Sequence, residues 1–251
     1  MSGHSHAKNI MHTKGISDAK KGKVFNKIAR EIMVAAKLGA PDPAHNPRLR
    51  AALAEARVKN MTKDRIERAI KSGQPGGADD KGVYEEVRYE AYGAGGSALI
   101  IEALTDNRNR TAAEIRTALS KNGGNLAETG SVSFMFDHVG EITYPAATAS
   151  ADAMLEAVIE AGGDNVESEE DAHYITMSVE DFGAVRSALE AKFGEPSSAK
   201  LVWYAKNDIP VMGAAAQTLL KLVDILEDND DVQNVYGNYE ISDEERAAFA
   251  A

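Results

Sequence analysis

The sequence predicts an α+β protein with three domains, a small N-terminal three-helix domain followed by two ferredoxin-like α/β domains, of which the middle one is discontinuous. Helical periodicity dominates up to Ser72, a Gly- and Pro-rich stretch follows from Gly73 to Gly82, and strand and helix patterns alternate thereafter. With 251 residues, 43% of them hydrophobic, the chain is long and apolar enough to bury a core.

Three amphipathic helices are predicted before residue 73. The stretch from Lys20 to Leu38 repeats apolar residues at helical spacing, Asn46 and Pro47 cap and open a second helix, and Thr62 caps a third. Gly73 stands at the end of the third helix and is expected to take the left-handed conformation of a helix C-terminus. Three short helices of this kind make one small domain.

Strand patterns begin after the Gly- and Pro-rich stretch. The first unit is strand, strand, helix and strand, with a capping box at Thr111 and Glu114 opening the helix. The second unit has the order strand, helix, strand, strand, helix, strand, which is typical of ferredoxin-like domains. The predicted strands are residues 83–91, 97–104, 131–136, 141–144, 165–168, 173–178 and 200–206, and the helices are residues 111–121, 150–161 and 179–193.

A helix over residues 214–226 and a strand over residues 232–239 remain once the second unit is complete. The first unit lacks these two elements to close its own sheet, so the third domain is predicted to be inserted in the middle one. The predicted limits are 1–77 for the basic helical domain, 82–137 with 208–241 for the middle domain, 138–207 for the inserted domain and 242–251 for a tail that is helical or frayed.

Charge is divided unevenly between the helical part and the rest. The whole chain carries −11, but residues 1–72 hold 16 Lys+Arg against 6 Asp+Glu, and residues 73–251 hold 12 against 33. A net +10 in 72 residues is the footprint expected of a protein that binds a polyanion such as nucleic acid. The alternative is that these charged helix faces are simply solvated, and so large an excess favours polyanion binding.

The candidate nucleic-acid-binding residues are basic side chains of the N-terminal segment and the three predicted helices. They would act chiefly as phosphate contacts, which position a protein without reading base sequence. The candidates are Lys8, His12, Lys14, Lys20, Lys21, Lys23, Lys27, Arg30, Arg48, Arg50 and Arg68.

A second candidate site lies where a predicted strand ends before the helix at Thr111. Amides and two arginines gather there at a helix N-terminus, which favours an anion such as an RNA phosphate. A solvated loop, in which Asp106 and its neighbour only make turns, explains the same residues equally well. The candidates are Asn107, Arg108, Asn109 and Arg110.

No pattern indicates catalysis, a cofactor or a metal. The chain has no cysteine, so disulfides and thiolate sites are excluded and a reducing cytoplasm is expected. The glycines at positions 93, 95 and 96 lack the spacing and the following helix of a dinucleotide-binding loop. No apolar run approaches the ~18 residues of a membrane helix. We therefore expect a non-enzymatic cytoplasmic protein with no small-molecule substrate and no membrane association.

Several motifs, in this order and spacing, resemble the YebC/PmpR family. The resemblance implies a three-domain, non-enzymatic protein of the bacterial cytoplasm, described as a probable DNA-binding transcriptional regulator. It also implies a link to the ribosome, because other members relieve stalling on proline-rich sequences and mitochondrial members include the translational activator of cytochrome c oxidase subunit I. The motifs are Gly3-His-Ser5, Asn9-Ile-Met-His12, Asp18-Ala-Lys-Lys-Gly-Lys23, Asn46-Pro-Arg-Leu-Arg50, Ile66-Glu-Arg-Ala-Ile-Lys71, Tyr89-Glu-Ala-Tyr-Gly93, Thr105-Asp-Asn-Arg-Asn-Arg-Thr111, Lys121-Asn-Gly-Gly-Asn125 and Gly130-Ser-Val132.

Two functions therefore compete: a DNA-binding transcription regulator, and a ribosome-associated translation factor that binds ribosomal RNA or tRNA. The predicted helices show no recognition helix that begins with base-reading Asn, Gln or Arg, which weakens sequence-specific binding to an operator. Binding to a ribosomal RNA surface depends instead on complementary shape and charge.

Overall fold

The computed structural model describes residues 18–77 and 83–250 of the chain. Within them a small N-terminal helical region is followed by two sheet domains, which confirms the predicted α+β fold class. The described residues divide into two compact units, one formed by 24–77 with 138–202 and the other by 18–23, 83–137 and 203–250. The three-domain limits given above stay a prediction.

The N-terminal helices enclose a common apolar core in which Ile32 and Leu49 are fully buried. Asn46 caps the second helix as predicted, because its Oδ1 accepts a hydrogen bond from the Leu49 N–H at 3.0 Å. Its Nδ2 donates to the carbonyls of Ala35 and Ala40, both at 2.8 Å. One amide thus begins the second helix and ties it to the end of the first. The helices are α1 (Asp18–Leu38), α2 (Pro47–Val58) and α3 (Lys63–Gly73).

Gly73 is the last residue of α3 and does not take the left-handed conformation predicted for it. A Cβ atom at this position would lie 2.2 Å from the carbonyl oxygen of Met33. Glycine is needed here because α3 closely approaches the backbone of α1. At the other end of α3, Thr62 occupies the N-cap position without a capping bond from its side chain.

Strands and helices alternate through the rest of the described chain. In chain order they are β1 (Glu85–Tyr92), β2 (Ala98–Thr105), α4 (Arg108–Lys121), β3 (Asn125–Leu126), β4 (Phe136–Pro145), α5 (Ala151–Ala161), β5 (Asn165–Ser168), β6 (Ala172–Ser178), α6 (Phe182–Phe193), β7 (Ser198–Ala205), β8 (Ile209–Pro210), α7 (Gly213–Glu227), β9 (Val232–Gly237), β10 (Tyr239–Glu240) and α8 (Asp243–Ala250). Short β8 and β10 pair in parallel.

The first sheet has the strand order β3-β1-β2-β9, and each pair of neighbouring strands in it is antiparallel. Helix α4 connects β2 to β3 across β1. Strand β9 belongs to the same sheet but follows the strands of the second sheet in the chain, so this domain is discontinuous as predicted. The helices α4 and α7 share a core with the strands, in which Leu99, Leu119 and Leu219 are fully buried.

The second sheet has the order β5-β6-β4-β7, the arrangement expected of a ferredoxin-like βαββαβ unit. Its core joins Ile142 and Ile175 of the sheet to Met154 of α5 and Leu189 of α6. The limits of β5 are those predicted from the sequence.

The predicted strand over residues 131–136 is wrong. Residues Ser133–Met135 form a short 3-10 turn, and β4 begins at Phe136. The buried carboxylate of Glu90 accepts hydrogen bonds from the backbone N–H groups of Gly130, Val132 and Ser133 at 2.9, 2.7 and 3.0 Å. These bonds occupy the amides that a strand ladder would need.

Candidate nucleic-acid interface

Five of the predicted nucleic-acid contacts have side chains outside the described part of the chain. Lys8, His12 and Lys14 lie outside the described residues. Lys20 and Lys21 belong to the first turns of α1, and their side chains lie outside the described part of the chain. Their role stays a prediction.

Three predicted contacts are held by carboxylates. The guanidinium of Arg48 binds both oxygens of Glu31, at 2.6 and 2.9 Å. The ammonium of Lys23 lies 2.9 Å from a carboxylate oxygen of Asp228, and Arg50 lies 3.6 Å from Glu190. A phosphate must displace these carboxylates to bind, although such pairs contribute only about 0–1 kcal/mol where they are exposed.

Lys27 and Arg30 occupy the described part of α1 and are half-buried. Each is already engaged with another group of the protein. The nucleic-acid contacts predicted on α1 are therefore partly committed to contacts inside the molecule.

In the N-terminal helical region, the basic side chains that remain exposed, as predicted for nucleic-acid contacts, lie on α3 and just before it. Arg68 is exposed, and its Nε donates to the backbone carbonyl of Asp64 at 3.2 Å. Lys59 and Lys71 are also exposed, and among the described residues neither they nor Arg68 forms an ion pair with a carboxylate. Sequence reasoning left Lys59 and Lys71 out of the site, although both are basic. Lys59 caps the end of α2, and Lys71 lies on α3.

Arg65 lies on the same helix, and two contacts hold its guanidinium. Its guanidinium lies 5.3 Å from the centre of the Phe25 ring and donates to Oδ1 of Asn26 at 2.7 Å. Both contacts join α3 to α1, so the orientation of this part of α3 is set by aromatic and polar packing. The result is a helix whose outer positions carry Arg68 and Lys71 in a defined place.

The second candidate site is built around the N-terminus of α4, which begins at Arg108 and not at Thr111 as predicted. Asn107 caps it, because its side-chain oxygen accepts from the N–H of Arg110 at 3.1 Å. The Thr111 hydroxyl lies inside the helix and donates to Asp231 at 2.7 Å. The capping box predicted at Thr111 is therefore wrong.

Arg110 is bound to two carboxylates. Its Nη2 donates to Asp231 at 2.7 Å and to Asp106 at 2.9 Å, and these two carboxylates hold the pKa of Arg110 above its ordinary value. Asp231 is buried and also accepts from the hydroxyl of Thr105 at 3.2 Å. No local signal pointed to Asp231, which stands in an acidic run far along the chain.

The four candidates of this loop thus divide into two pairs. Asn107 and Arg110 hold the loop in place, while Arg108 and Asn109 are exposed. The backbone of Arg108 is fixed in addition, since its carbonyl accepts from the hydroxyl of Tyr89 at 3.3 Å. An anion at this helix N-terminus would therefore meet Arg108 and Asn109.

A serine and a histidine are paired in the second sheet. The Ser168 hydroxyl lies 2.7 Å from Nδ1 of the buried His173, whose Nε2 lies 3.0 Å from the carbonyl of Ala149. Since Nε2 faces a carbonyl acceptor, it carries the hydrogen, and Nδ1 accepts from the serine. Backbone carbonyls orient the ring, and the contact ties the end of β5 to the segment before α5.

Neither a metal-binding cluster nor a membrane-spanning helix occurs in residues 18–77 and 83–250. No three histidine or acidic side chains in these ranges are grouped as a metal site requires. Likewise, none of the described helices has the length and apolar character that crossing a bilayer demands.

Comparison with known proteins gives consistent matches. Residues 5–76 match the family model of the TACO1/YebC protein N-terminal domain, and residues 84–239 match that of the TACO1/YebC second and third domain. The crystal structure of a conserved hypothetical protein from Aquifex aeolicus is 41% identical in sequence and superposes with a TM-score of 0.80. The match covers 95% of this chain and 98% of that chain.

Proposed function

The chain belongs to the TACO1/YebC family, and we propose that it is a non-enzymatic regulator of gene expression that binds nucleic acid through its basic N-terminal region. In this proposal it acts in the cytoplasm as a DNA-binding transcriptional regulator and needs no cofactor. Membership of the family supports a regulatory or translation-related role.

The observation that carries the proposal is the exposed basic surface of α3. Arg68 and Lys71 stand on its outer positions without a carboxylate partner among the described residues, within a 72-residue stretch that carries a net +10. Cations so placed suit phosphate oxygens, which supply most of the affinity of non-specific nucleic-acid binding. The anionic remainder of the chain, with a net −21, does not suit that partner.

The second candidate function is a ribosome-associated translation factor that binds ribosomal RNA or tRNA and relieves stalling on proline-rich sequences. One observation favours it: α3 begins with Lys63, Asp64 and Arg65, and Arg65 is engaged with Phe25 and Asn26. A helix with cations along its outside and few free base-reading groups at its start suits RNA shape better than an operator sequence.

The experiment is crosslinking of the tagged full chain to nucleic acid in cells by ultraviolet light, followed by sequencing after separate DNase and RNase treatment. Enrichment at a few promoters supports the transcriptional regulator. Discrete crosslinks to ribosomal RNA or tRNA support the translation factor. Recovery no greater than that of an acidic control protein, with either nuclease, overturns nucleic-acid binding altogether.

We propose in addition that Arg108 and Asn109 form a minor anion or RNA contact on the middle domain. Arg108→Ala tests it cleanly, because the side chain of Arg108 is exposed while replacement of Arg110 would also break its bonds to Asp231 and Asp106. An Arg108→Ala variant that keeps full affinity for RNA and full activity in cells contradicts this contact.

A further inference from the structure

In the described part of the chain, the second sheet has an open edge at β5. This strand lies at the end of the sheet, and its strand partner among the described residues is β6. The N–H of Glu169 donates to the carbonyl of Ala172 at 2.8 Å, and alternate residues of an antiparallel strand bond to the same neighbour. The backbone groups of Val166 and Ser168 therefore face away from β6, where another strand could bind them.

An exposed apolar flank of α5 runs beside this edge. Leu155 and Ile159 are 47% and 66% exposed and, four residues apart, lie on one side of the helix. Glu160, turned away from them around the helix axis, pairs with Lys192 of α6 at 3.1 Å. The Leu155 and Ile159 flank therefore lies on the side of α5 away from α6, which in this strand order is the side of β5.

The surroundings of the edge are acidic. Residues 138–202 contain 13 Asp+Glu and 3 Lys+Arg, a net charge of −10. A partner that meets this surface with favourable electrostatics must be positively charged. The exposed acids on α5 and around β5 are Asp152, Glu156, Asp164, Glu167 and Glu170.

We propose that β5 accepts an added strand from a lysine- or arginine-rich extended segment of a partner protein. Successive side chains of that strand point to opposite faces of the sheet. Those on the helix side would rest on Leu155 and Ile159, and those on the other side would approach the carboxylate of Glu167. The partner segment therefore alternates apolar and basic residues. None of these residues belongs to α3, so the proposal does not depend on nucleic-acid binding.

The test is a titration of the isotope-labelled full chain with a short peptide that alternates valine and lysine, followed by amide NMR and hydrogen exchange. We expect saturable shifts at the amides of Val166 and Ser168 and slower exchange there. The amide of Glu167, which already faces β6, changes little. The same peptide with glutamate in place of lysine binds more weakly, and salt weakens the lysine peptide.

Two variants sharpen the result. Ile159→Ser removes apolar contact area and is expected to weaken peptide binding about tenfold. Val179→Ser removes a comparable exposed apolar side chain, 40% accessible, from another part of the same domain and leaves the affinity unchanged. Both side chains are exposed, so the fold tolerates their loss.

Three results would overturn the proposal. In the first, the peptide binds without protecting Val166 and Ser168. In the second, the lysine and glutamate peptides bind equally. In the third, the same two amides become protected as the protein concentration rises without peptide, which would assign the edge to a second copy of this chain.

Discussion

The carboxylate of Glu90 lies 2.7 Å from the backbone nitrogen of Val132, 42 residues further along the chain. It also accepts from the N–H groups of Gly130 and Ser133, so one buried side chain on β1 holds the whole segment before β4. Burial by itself would raise the pKa of Glu90, but these bonds to its charged form together lower it.

Glu90→Gln is expected to destabilise the protein by about 1–3 kcal/mol at neutral pH, since an amide cannot accept three hydrogen bonds with the strength of a buried carboxylate. Urea unfolding measures the loss. Glu85→Gln, on the exposed beginning of the same strand, is the matched control and should change stability by less than about 0.5 kcal/mol. Equal effects from the two variants would contradict the anchoring role of Glu90.

The stabilisation by Glu90 should depend on pH. Its pKa is lower in the folded chain than the ordinary value of 4.5, so folding favours the ionised form. The stabilisation is complete above 4.5 and is lost as the pH falls through the lowered folded value. The stability difference between wild type and Glu90→Gln should therefore shrink in acid. A difference that stays constant down to full protonation would refute this.

Asp231→Asn and Asp106→Asn each remove one of the two carboxylates that bind Arg110, and their effects on stability should differ sharply. The side chain of Asp231 is 5% exposed and that of Asp106 is 48% exposed. Loss of the buried charge, which also accepts from Thr111, should cost about 2–4 kcal/mol. Loss of the exposed one should cost less than about 1 kcal/mol. Thermal unfolding of the two variants decides between them.

Gly73→Ala should destabilise the helical region by about 1–3 kcal/mol, because the new methyl group would overlap the carbonyl oxygen of Met33. Gly22→Ala is the counterpart on α1, where a Cβ meets nothing within 4 Å, and it should stabilise the helix by about 0.5–1 kcal/mol. Thermal unfolding followed by circular dichroism shows whether each variant is less or more stable than the wild type. If Gly73→Ala is also stabilising, the close approach of α3 to α1 is refuted.

A double variant of Arg68→Gln with Lys71→Gln should weaken binding to unrelated nucleic acids alike. Two lost phosphate contacts lower the slope of log affinity against log salt by about 1.8 for duplex DNA. The control, Lys121→Gln with Lys221→Gln, removes two exposed cations from the middle domain and should leave the slope unchanged. Fluorescence anisotropy over a salt series measures both, and equal slopes for the two double variants would count against α3.

Much of the fold could be predicted because its signals are local. Asn46 begins α2 by bonding a residue three positions away, and β5 has the limits 165–168 that were predicted for it. The segment before β4 could not be predicted, since the carboxylate that binds its amides belongs to Glu90 on another strand. The composition of residues 131–136 favours a strand, but the contact with the distant Glu90 holds this segment in another conformation.

The sequence predicted which basic residues belong to the candidate site. It did not predict which of them are already paired with carboxylates. Residue type and spacing identify Arg48, Arg50 and Arg68 as outward cations on two helices. Glu31, which binds Arg48, comes from a different helix, and Glu190, which faces Arg50, comes from a different domain. Only Arg68 among these three is left without a carboxylate in the described part of the chain.

Local patterns of residues were enough to predict the helices, most strands, the split between a basic beginning and an acidic remainder, and the family. Those properties depend on residue type and on neighbours a few positions away. Long-range packing, by contrast, explains why Asp231 anchors the loop at Arg110, why Gly73 is needed for helix contact, and why the edge of β5 is open among the described residues. Each of these depends on chain segments that are far apart in sequence and become neighbours only through packing.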